Sequence, residues 1–322
     1  MERFAGRIAV VTGGGMGMGR ELVRQLAAEG CHVATCDVAG DALAETKALA
    51  LEGSPDGTRV TTFVADVSDE SQVIAFRAAT AEGLATEHLH LLFNNAGIAG
   101  GGSFVADDRS EWERTFGVDW GGTYLCTRTF LPMLMAAEEG HVVNTSSVNG
   151  LWASIGPSTP HTAYSTSKFA VRGFTESLIT DFRVHAPHLR ASVVMPGHIG
   201  TSIVINSGIA HGKEPESMDR DDLVKIRNQL ASSGLPLDGV SDDDLRKGIQ
   251  QMAEVFRDSA PTTASDAATI ILDGVRRNDW RILVGEDAEQ LDVLVRADPE
   301  HAYDPEFWEA LQLKGLFGGL GR

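Results

Sequence analysis

Ile8-Ala9-Val10-Val11-Thr12-Gly13-Gly14-Gly15-Met16-Gly17-Met18-Gly19 is the stretch that decides the fold. Ile8 to Val11 is a short apolar run of the buried-strand type. It breaks at once into glycines, and Glu21 to Glu29 then reads as a helix. A strand, a glycine turn and a helix N-terminus together make a phosphate cradle. Glycine lets the backbone approach a pyrophosphate, and the first helical turn offers free N–H groups with a partial positive charge. An ordinary glycine-rich turn has the same composition, but the flanking elements favour phosphate binding. The expected contacts are Gly13, Gly15, Met16, Gly17 and Met18.

Working outward, His32 to Val38 is a second strand, ending in Asp37. An acid roughly 20 residues past the glycines suits a hydrogen bond to a ribose 2′-OH and repels a 2′-phosphate. No Lys or Arg stands in the loop before Gly17, and Val38 follows Asp37. The balance favours NAD over NADP, with Asp37 and Val38 at the adenosine ribose. A helix over 41–51 leads to a third strand, Val60 to Val64, and then to Asp66-Val67, which would sit beside an adenine ring. Ser68 could cap the next helix, with Glu70 and Ser71 in its first turn. Leu89 to Phe93 is a fourth strand, ending in Asn94-Asn95-Ala96-Gly97. Trp112 to Phe130 is one long helical pattern. Val142 to Ser147 is a fifth strand, and Tyr164 to Phe182 a helix. Ala191 to Met195 is a sixth strand, ending in Pro196-Gly197-His198-Ile199-Gly200-Thr201. Alternating strands and helices predict an α/β fold, a doubly wound parallel sheet with helices on both faces. Each polar motif falls at the carboxyl end of a strand, where such sheets bind ligands.

Tyr164 and Lys168 stand four apart, one turn apart on one helix face. The ammonium can favour the phenolate and draw the tyrosine pKa down from about 10. A tyrosine so placed can exchange a proton with a substrate oxygen. Alone, such a pair usually just shares an exposed helix face; the company it keeps gives it weight.

The chain has 322 residues, 43% of them hydrophobic, which is ample for a packed core. Lys+Arg 27 against Asp+Glu 45 gives a net charge of -18, which repels nucleic acid and anionic lipid. Neither is an expected partner. Three cysteines in apolar segments read as buried thiols in a reducing compartment, so the expected location is cytoplasmic. The N-terminus runs straight into a strand, without the pattern of a signal peptide. No apolar run has transmembrane length. The ten histidines show no ligand spacing, so no catalytic metal is expected.

Taken together, Thr12-Gly13-x-x-x-Gly17-x-Gly19, Asp66, Asn94-Asn95-Ala96-Gly97, Ser147, Tyr164-x-x-x-Lys168 and Pro196-Gly197 resemble the short-chain dehydrogenase/reductase family. The motifs stand in family order over roughly the first two thirds of the chain. Each is loose, but the set is specific. The resemblance implies a Rossmann-like core, a nicotinamide cofactor and hydride transfer between its C4 and an alcohol or carbonyl carbon. It makes Tyr164 the general acid/base. Ser147 holds the substrate oxygen, and Lys168 binds the nicotinamide ribose. Ile199 and Thr201 border the carboxamide. The Asn95-Ala96-Gly97 and Pro196-Gly197 turns complete the cofactor site. Chemistry points the same way, since hydride removal needs a base on the hydroxyl and a donor for the developing oxyanion. Ser146 is the rival of Ser147. The Val148-Asn149-Gly150 turn that follows selects Ser147.

Three departures stand out. The family usually has asparagine where this chain has Asp119, which keeps the main-chain carbonyl but adds a charge. Asp119 is either a tolerated acid or part of a tuned relay. The Ser147–Tyr164 gap is longer than usual, and its Trp152 and Ile155 either wall the substrate pocket or only pack the loop. The usual short ending is replaced by about forty residues after a last strand, Arg281 to Val284. Asp304-Pro305-Glu306 is a helix start. Phe307, Trp308, Leu311, Leu313, Leu316 and Phe317 supply apolar surface that docks on its own subunit or on a neighbour.

The expectation is one Rossmann-like catalytic domain over 1–285 and a C-terminal extension over 286–322. Within that domain, 202–262 is a substrate-covering helical segment. Leu223, Ile226 and Leu230 form one of its apolar stripes, and Leu245, Ile249, Met252 and Phe256 another, started by Ser241. The expected function is hydride transfer between NAD(H) and a secondary alcohol or ketone, bulky, hydrophobic or cyclic. The alternatives are an NADPH-linked carbonyl reductase and a non-catalytic dinucleotide-binding protein of the same fold. The family's habit adds a homodimer or homotetramer.

Overall fold

Seven parallel strands form the central sheet: β1 (Ile8–Thr12), β2 (His32–Asp37), β3 (Val60–Val64), β4 (Leu91–Asn94), β5 (Gly140–Thr145), β6 (Leu189–Pro196) and, last in the chain, Arg281–Val284. Between the last two come two short strands, β7 (Ile199–Gly200) and β8 (Thr262–Thr263), which pair with each other, so the last strand is β9. The sheet order is β3-β2-β1-β4-β5-β6-β9. The chain therefore reverses its direction of travel between β1 and β4, the switch point where sheets of this kind open a crevice at the carboxyl ends. A computed structural model describes residues 1–157, 159–232, 237 and 239–316. Phe317, Ser158, and residues 233–236 and 238 of the lid segment lie outside that set.

Strand periodicity builds two cores. Ala9 and Val11 face one side with Leu91 and Phe93, against Leu22, Leu26 and Ile271. Ile8 and Val10 face the other with Leu92 and Val142, against Phe76, Phe130 and Phe182. The first layer holds α1 (Gly17–Ala28), α2 (Gly40–Glu52) and a late helix, Ala264–Arg277. The second holds α3 (Glu70–Leu84), α5 (Gly122–Met135) and α6 (Thr162–His185), with α4 (Arg109–Phe116) packed on α6.

Several boundaries differ from expectation. The fifth strand stops at Thr145, leaving Ser146 and Ser147 free to turn. The cap of α3 is Asp69, whose carboxylate accepts from Ser71 N and Gln72 N. Ser68 is instead held by Asp66, through both its N and its Oγ. The expected helix over Trp112 to Phe130 is α4 and α5 joined by one π-helical stretch, Gly117–Gly121. A π turn adds one residue without breaking the helix, so the apolar pattern runs through it.

The lid is α7 (Ile203–Ala210), α8 (Arg220–Ser232) and α9 (Asp242–Asp258), held between β7 and β8. Leu223 and Leu245 meet with Met218, Ile226, Leu230, Val240 and Ile249. Met252, expected on the same stripe, is 45% exposed because Ala253 takes the inward position. The helix after β8 is α10, and α11 (Glu286–Ala297) and α12 (Pro305–Leu313) close the chain. α12 docks on its own chain. Trp308 and Leu311 bury against Val148, Trp152, Ala288 and Leu291. Leu313 points away and is 90% exposed. Asp304 stands at the N-cap as expected, but its side chain makes no capping hydrogen bond.

Candidate active site

The crevice at the switch point is a cavity of about 430 Å³. Gly13, Met16, Gly17, Met18, Asp37, Val38, Asp66, Val67, Asn95, Ala96, Gly97 and Thr201 all border it. The glycine loop is shaped for close approach. A Cβ on Gly13 (φ +67) would lie 2.8 Å from Ala96 Cα, and one on Gly17 (φ +55) 3.2 Å from Thr201 Cγ2. Thr12 Oγ1 accepts from Asn95 N and Ala96 N, both at 3.0 Å, locking the ends of β1 and β4 together. Asn95 Oδ1 is a buried acceptor with no partner among the described residues, on a residue that lines the cavity. An elongated polar ligand with donor groups fits such a wall.

Asp37 lines the cavity from the end of β2. Its carboxylate accepts from Gly15 N at 3.0 Å and Ala39 N at 3.1 Å. Gly15 thus serves Asp37 and is not itself on the cavity wall. Arg114, which nothing in its sequence neighbourhood singles out, reaches the cavity from α4 and pairs with Asp66 at 2.7 Å. Burial raises the Asp66 pKa, but Ser68 and Arg114 outweigh it and hold the carboxyl below its ordinary value. Ile203, Asn206, Ile209 and Ala210 of α7 roof the cavity; they fall in the expected covering segment, though none was singled out there.

Three further expected residues do not border the cavity. Pro196 is the last residue of β6, paired with Val284. Gly197 is backed by the Asp287 carboxylate, which also accepts from His198 N at 2.6 Å. Ile199 packs into the core with Ile271 and Val284. The acid pins the chain after β6, and that fixes where Thr201 meets the cavity.

Beyond Gly97 lies a polar cluster. Lys168, from the middle of α6, is buried, and its Nζ donates to Thr145 O at 3.3 Å. It stands 3.3 Å from Asp119 Oδ2 and 5.2 Å from the centroid of the Tyr164 ring. A Cβ on Gly97 would sit 3.1 Å from Lys168 Nζ, so the ammonium lies directly behind Gly97, which borders the cavity. The Ser147 hydroxyl stands near enough to the Tyr164 phenol to favour its ionised form. Ser147 also accepts from Asn149 N at 3.1 Å, the turn that follows it. Ser146 is committed elsewhere, donating to Lys168 O at 2.7 Å. Ser147, Tyr164, Lys168 and Asp119 therefore converge at one place.

The electrostatics differ from the simple expectation that Lys168 lowers the Tyr164 pKa. Burial raises it, Lys168 lowers it, Asp119 raises it again and Ser147 lowers it slightly; the phenol ends above its ordinary value. Burial alone would lower the Lys168 pKa, but Asp119 and Tyr164 together carry it above the usual value. His161, at the start of α6, stacks its ring 4.7 Å from that of Tyr164, and burial brings its pKa to about 4.

The loop between Ser147 and Tyr164 is tied to the C-terminal extension. Trp152 Nε1 donates to Ala302 O at 2.6 Å, and Ala153 N to the Tyr303 hydroxyl at 3.1 Å. Trp152 stacks on Trp308, with centroids 6.1 Å apart. Trp152 thus packs the loop, the second of the two roles open to it.

A family model of the short chain dehydrogenases matches residues 7–210. The chain belongs to that family. It is 33% identical over 297 residues to the protein SadH of Mycobacterium tuberculosis, covering 92% of each. It is 36% identical over 209 residues to levodione reductase of Leifsonia aquatica, covering 64% of this chain and 74% of that one. Among solved structures it is similar to a short-chain dehydrogenase/reductase from Burkholderia phymatum in complex with NAD. That likeness has a TM-score of 0.74 at 28% identity and covers 95% and 98% of the two chains. A metagenomic relative solved with NADP gives a TM-score of 0.53 at 29% identity, covering 60% and 83%. The protein is thus an oxidoreductase of the short-chain family with a site for a nicotinamide dinucleotide. Among the described residues no group of three ligand side chains could hold a metal, and no helix is long and apolar enough to cross a membrane.

Proposed function

We propose that this protein transfers a hydride between NAD(H) and a secondary alcohol or ketone, with a bulky, hydrophobic or cyclic substrate. The observation that carries the reading is the convergence of Ser147, Tyr164 and Lys168 behind Gly97, which borders the cavity. When bound, the dinucleotide supplies the hydride donor or acceptor and, when oxidised, a positive charge beside the polar cluster. The protein does the rest. Ser147 donates to the substrate oxygen as negative charge develops on it. Tyr164 takes the hydroxyl proton in oxidation and returns it in reduction. Lys168 holds the ribose and supports the phenolate. Asn95, with its free acceptor, and the glycine loop hold the rest of the cofactor, and Pro196, Gly197, Ile199 and Thr201 set the backbone beside its carboxamide.

NAD over NADP rests on Asp37, whose carboxylate occupies the adenosine end with Val38 beside it. Arg20, behind the loop, is turned onto Gly15 O at 3.0 Å and Glu45 at 2.6 Å, and Arg114 is taken by Asp66. The kinship with a levodione reductase supports the substrate class. Three buried, free cysteines suit the cytoplasm. Tyr124 and Phe169, exposed on α5 and α6, suit a homodimer or homotetramer. The test is turnover of NADH and NADPH on a panel of cyclic and open-chain ketones. The expected result is reduction of cyclic ketones with NADH preferred. Preference for NADPH would overturn the cofactor assignment, and no turnover with either would overturn the activity.

A further inference from the structure

Asp119 is 1% exposed, on the π-helical stretch. Its Oδ1 accepts from Ile98 N at 2.9 Å, and its Oδ2 accepts from Ser167 Oγ at 3.1 Å and faces Lys168 Nζ at 3.3 Å. The Lys168 ammonium has Thr145 O on one side and the Tyr164 ring, 5.2 Å to its centroid, on another. One buried cation therefore stands between two acids, a carboxylate and a phenol. We propose that Asp119 is a positioning residue of the proton-transfer site, holding the Lys168 ammonium and dividing its charge between its own carboxylate and Tyr164. The proposal rests on the reading of Tyr164 as the group that exchanges the substrate proton.

The physical argument is a charge count. With a neutral amide at 119, Lys168 would answer Tyr164 alone, and phenolate formation would leave one positive and one negative charge. With Asp119 ionised, phenolate formation places two negative charges around one positive, where water screens little. Burial, the larger effect, raises the Asp119 pKa, while the Lys168 ammonium, Ile98 N and Ser167 Oγ, which also donates to Tyr164 O at 2.7 Å, favour its ionised form. Three titratable groups face Tyr164: Lys168 from its own helix, Asp119 from the π stretch, and His161. The histidine is neutral near pH 7, with a pKa of about 4, and adds no charge. Asp119 therefore tightens the hold of Tyr164 on its proton. Tyr164 stays protonated, ready to donate, through neutral pH. The rate of alcohol oxidation, which needs the phenolate, climbs only at alkaline pH.

The test is a titration of phenolate absorbance. The chain has three tyrosines, so subtracting the Tyr164→Phe counterpart of each protein isolates the Tyr164 signal. Asp119→Asn keeps shape and an acceptor for Ile98 while removing the charge. It is expected to lower the Tyr164 midpoint by about one pH unit or more. The acid limb of kcat/KM for oxidation should move down by the same amount. A folded variant, checked by circular dichroism, whose midpoint and limb stay put or rise would overturn the proposal. Should the amide variant not fold, Asp119→Ser is read in the same way. Turnover retained by Tyr164→Phe would remove the functional reading instead, and the titration would still decide whether Asp119 and Tyr164 share Lys168.

Discussion

Asp37 holds two backbone amides, Gly15 N and Ala39 N, and through them the shape of the loop it guards. Replacing it therefore does two things: it removes the repulsion toward a 2′-phosphate and loosens the loop. Asp37→Ser with Val38→Arg should raise the ratio of kcat/KM for NADP over NAD by about two orders of magnitude, roughly 3 kcal/mol of changed preference. The NAD value should fall in the same variant. Initial rates with both cofactors check this, and an unchanged ratio would show that Asp37 does not choose the cofactor. At this scale the sequence reading was strongest where a residue's role is set by its own chain neighbours. The glycines after β1 are of that kind, with Gly13 and Gly17 on the cavity wall as expected. It was weakest where a partner comes from far along the chain. Arg114 reaches Asp66 across 48 positions, and its binding of Ser68 and Asp66 takes from Ser68 the cap role its position suggests. The pairing of Lys168 with Tyr164 on one helix face was legible, but its tie to Thr145 O was not.

The C-terminal helix α12 is the element that sequence left open, between its own subunit and a neighbour. Apolar spacing shows that a face must be covered but not by what. The structure covers it with Trp152, from the loop that leads from Ser147 to Tyr164. Trp308→Ala should lower the unfolding free energy by about 3 kcal/mol, as expected for emptying a buried aromatic site. It should also raise the ketone KM, because the loop loses its backing, while NAD affinity stays nearly constant. Cutting after Ala302 should do the same more strongly. Denaturant unfolding and steady-state kinetics check both, and a truncated protein with the parent's melting temperature and kinetics would show α12 to be idle. The π stretch is the opposite case. Gly117 to Gly121 keeps helical spacing on either side, so pattern alone cannot reveal the extra residue that brings Asp119 to Lys168 and its carbonyl to Thr123 Oγ1 at 2.8 Å.

At the scale of the whole molecule, His90 and His141 are buried and His161 half-buried, and all three have depressed pKa values. Burial lowers the pKa of His90 to about 4, of His141 to about 3 and of His161 to about 4. His90 Nδ1 accepts from Ile8 N at 3.1 Å, a bond it makes only when that nitrogen is free of a proton. In the unfolded chain each would titrate near 6.5. Between about 6.5 and about 4 the unfolded state binds protons that the native state refuses, so stability is full above that window and falls as pH falls through it. Urea unfolding at neutral pH and near pH 5 should show a loss of several kcal/mol at the lower value. Equal stability at both would mean that these rings are not buried in the neutral form. The fold as a whole was the most legible level, because strand, glycine turn and helix at one end of the chain, repeated by alternation, leave a parallel sheet as the economical solution. The central claim is narrower, that Tyr164 moves the substrate proton. The most direct measurement is NADH-dependent ketone reduction by Tyr164→Phe, with NADH binding followed by fluorescence in the same preparation. The account predicts a loss of kcat of about three orders of magnitude or more with NADH affinity within a few-fold of the parent. Near-parental turnover by that variant would contradict it.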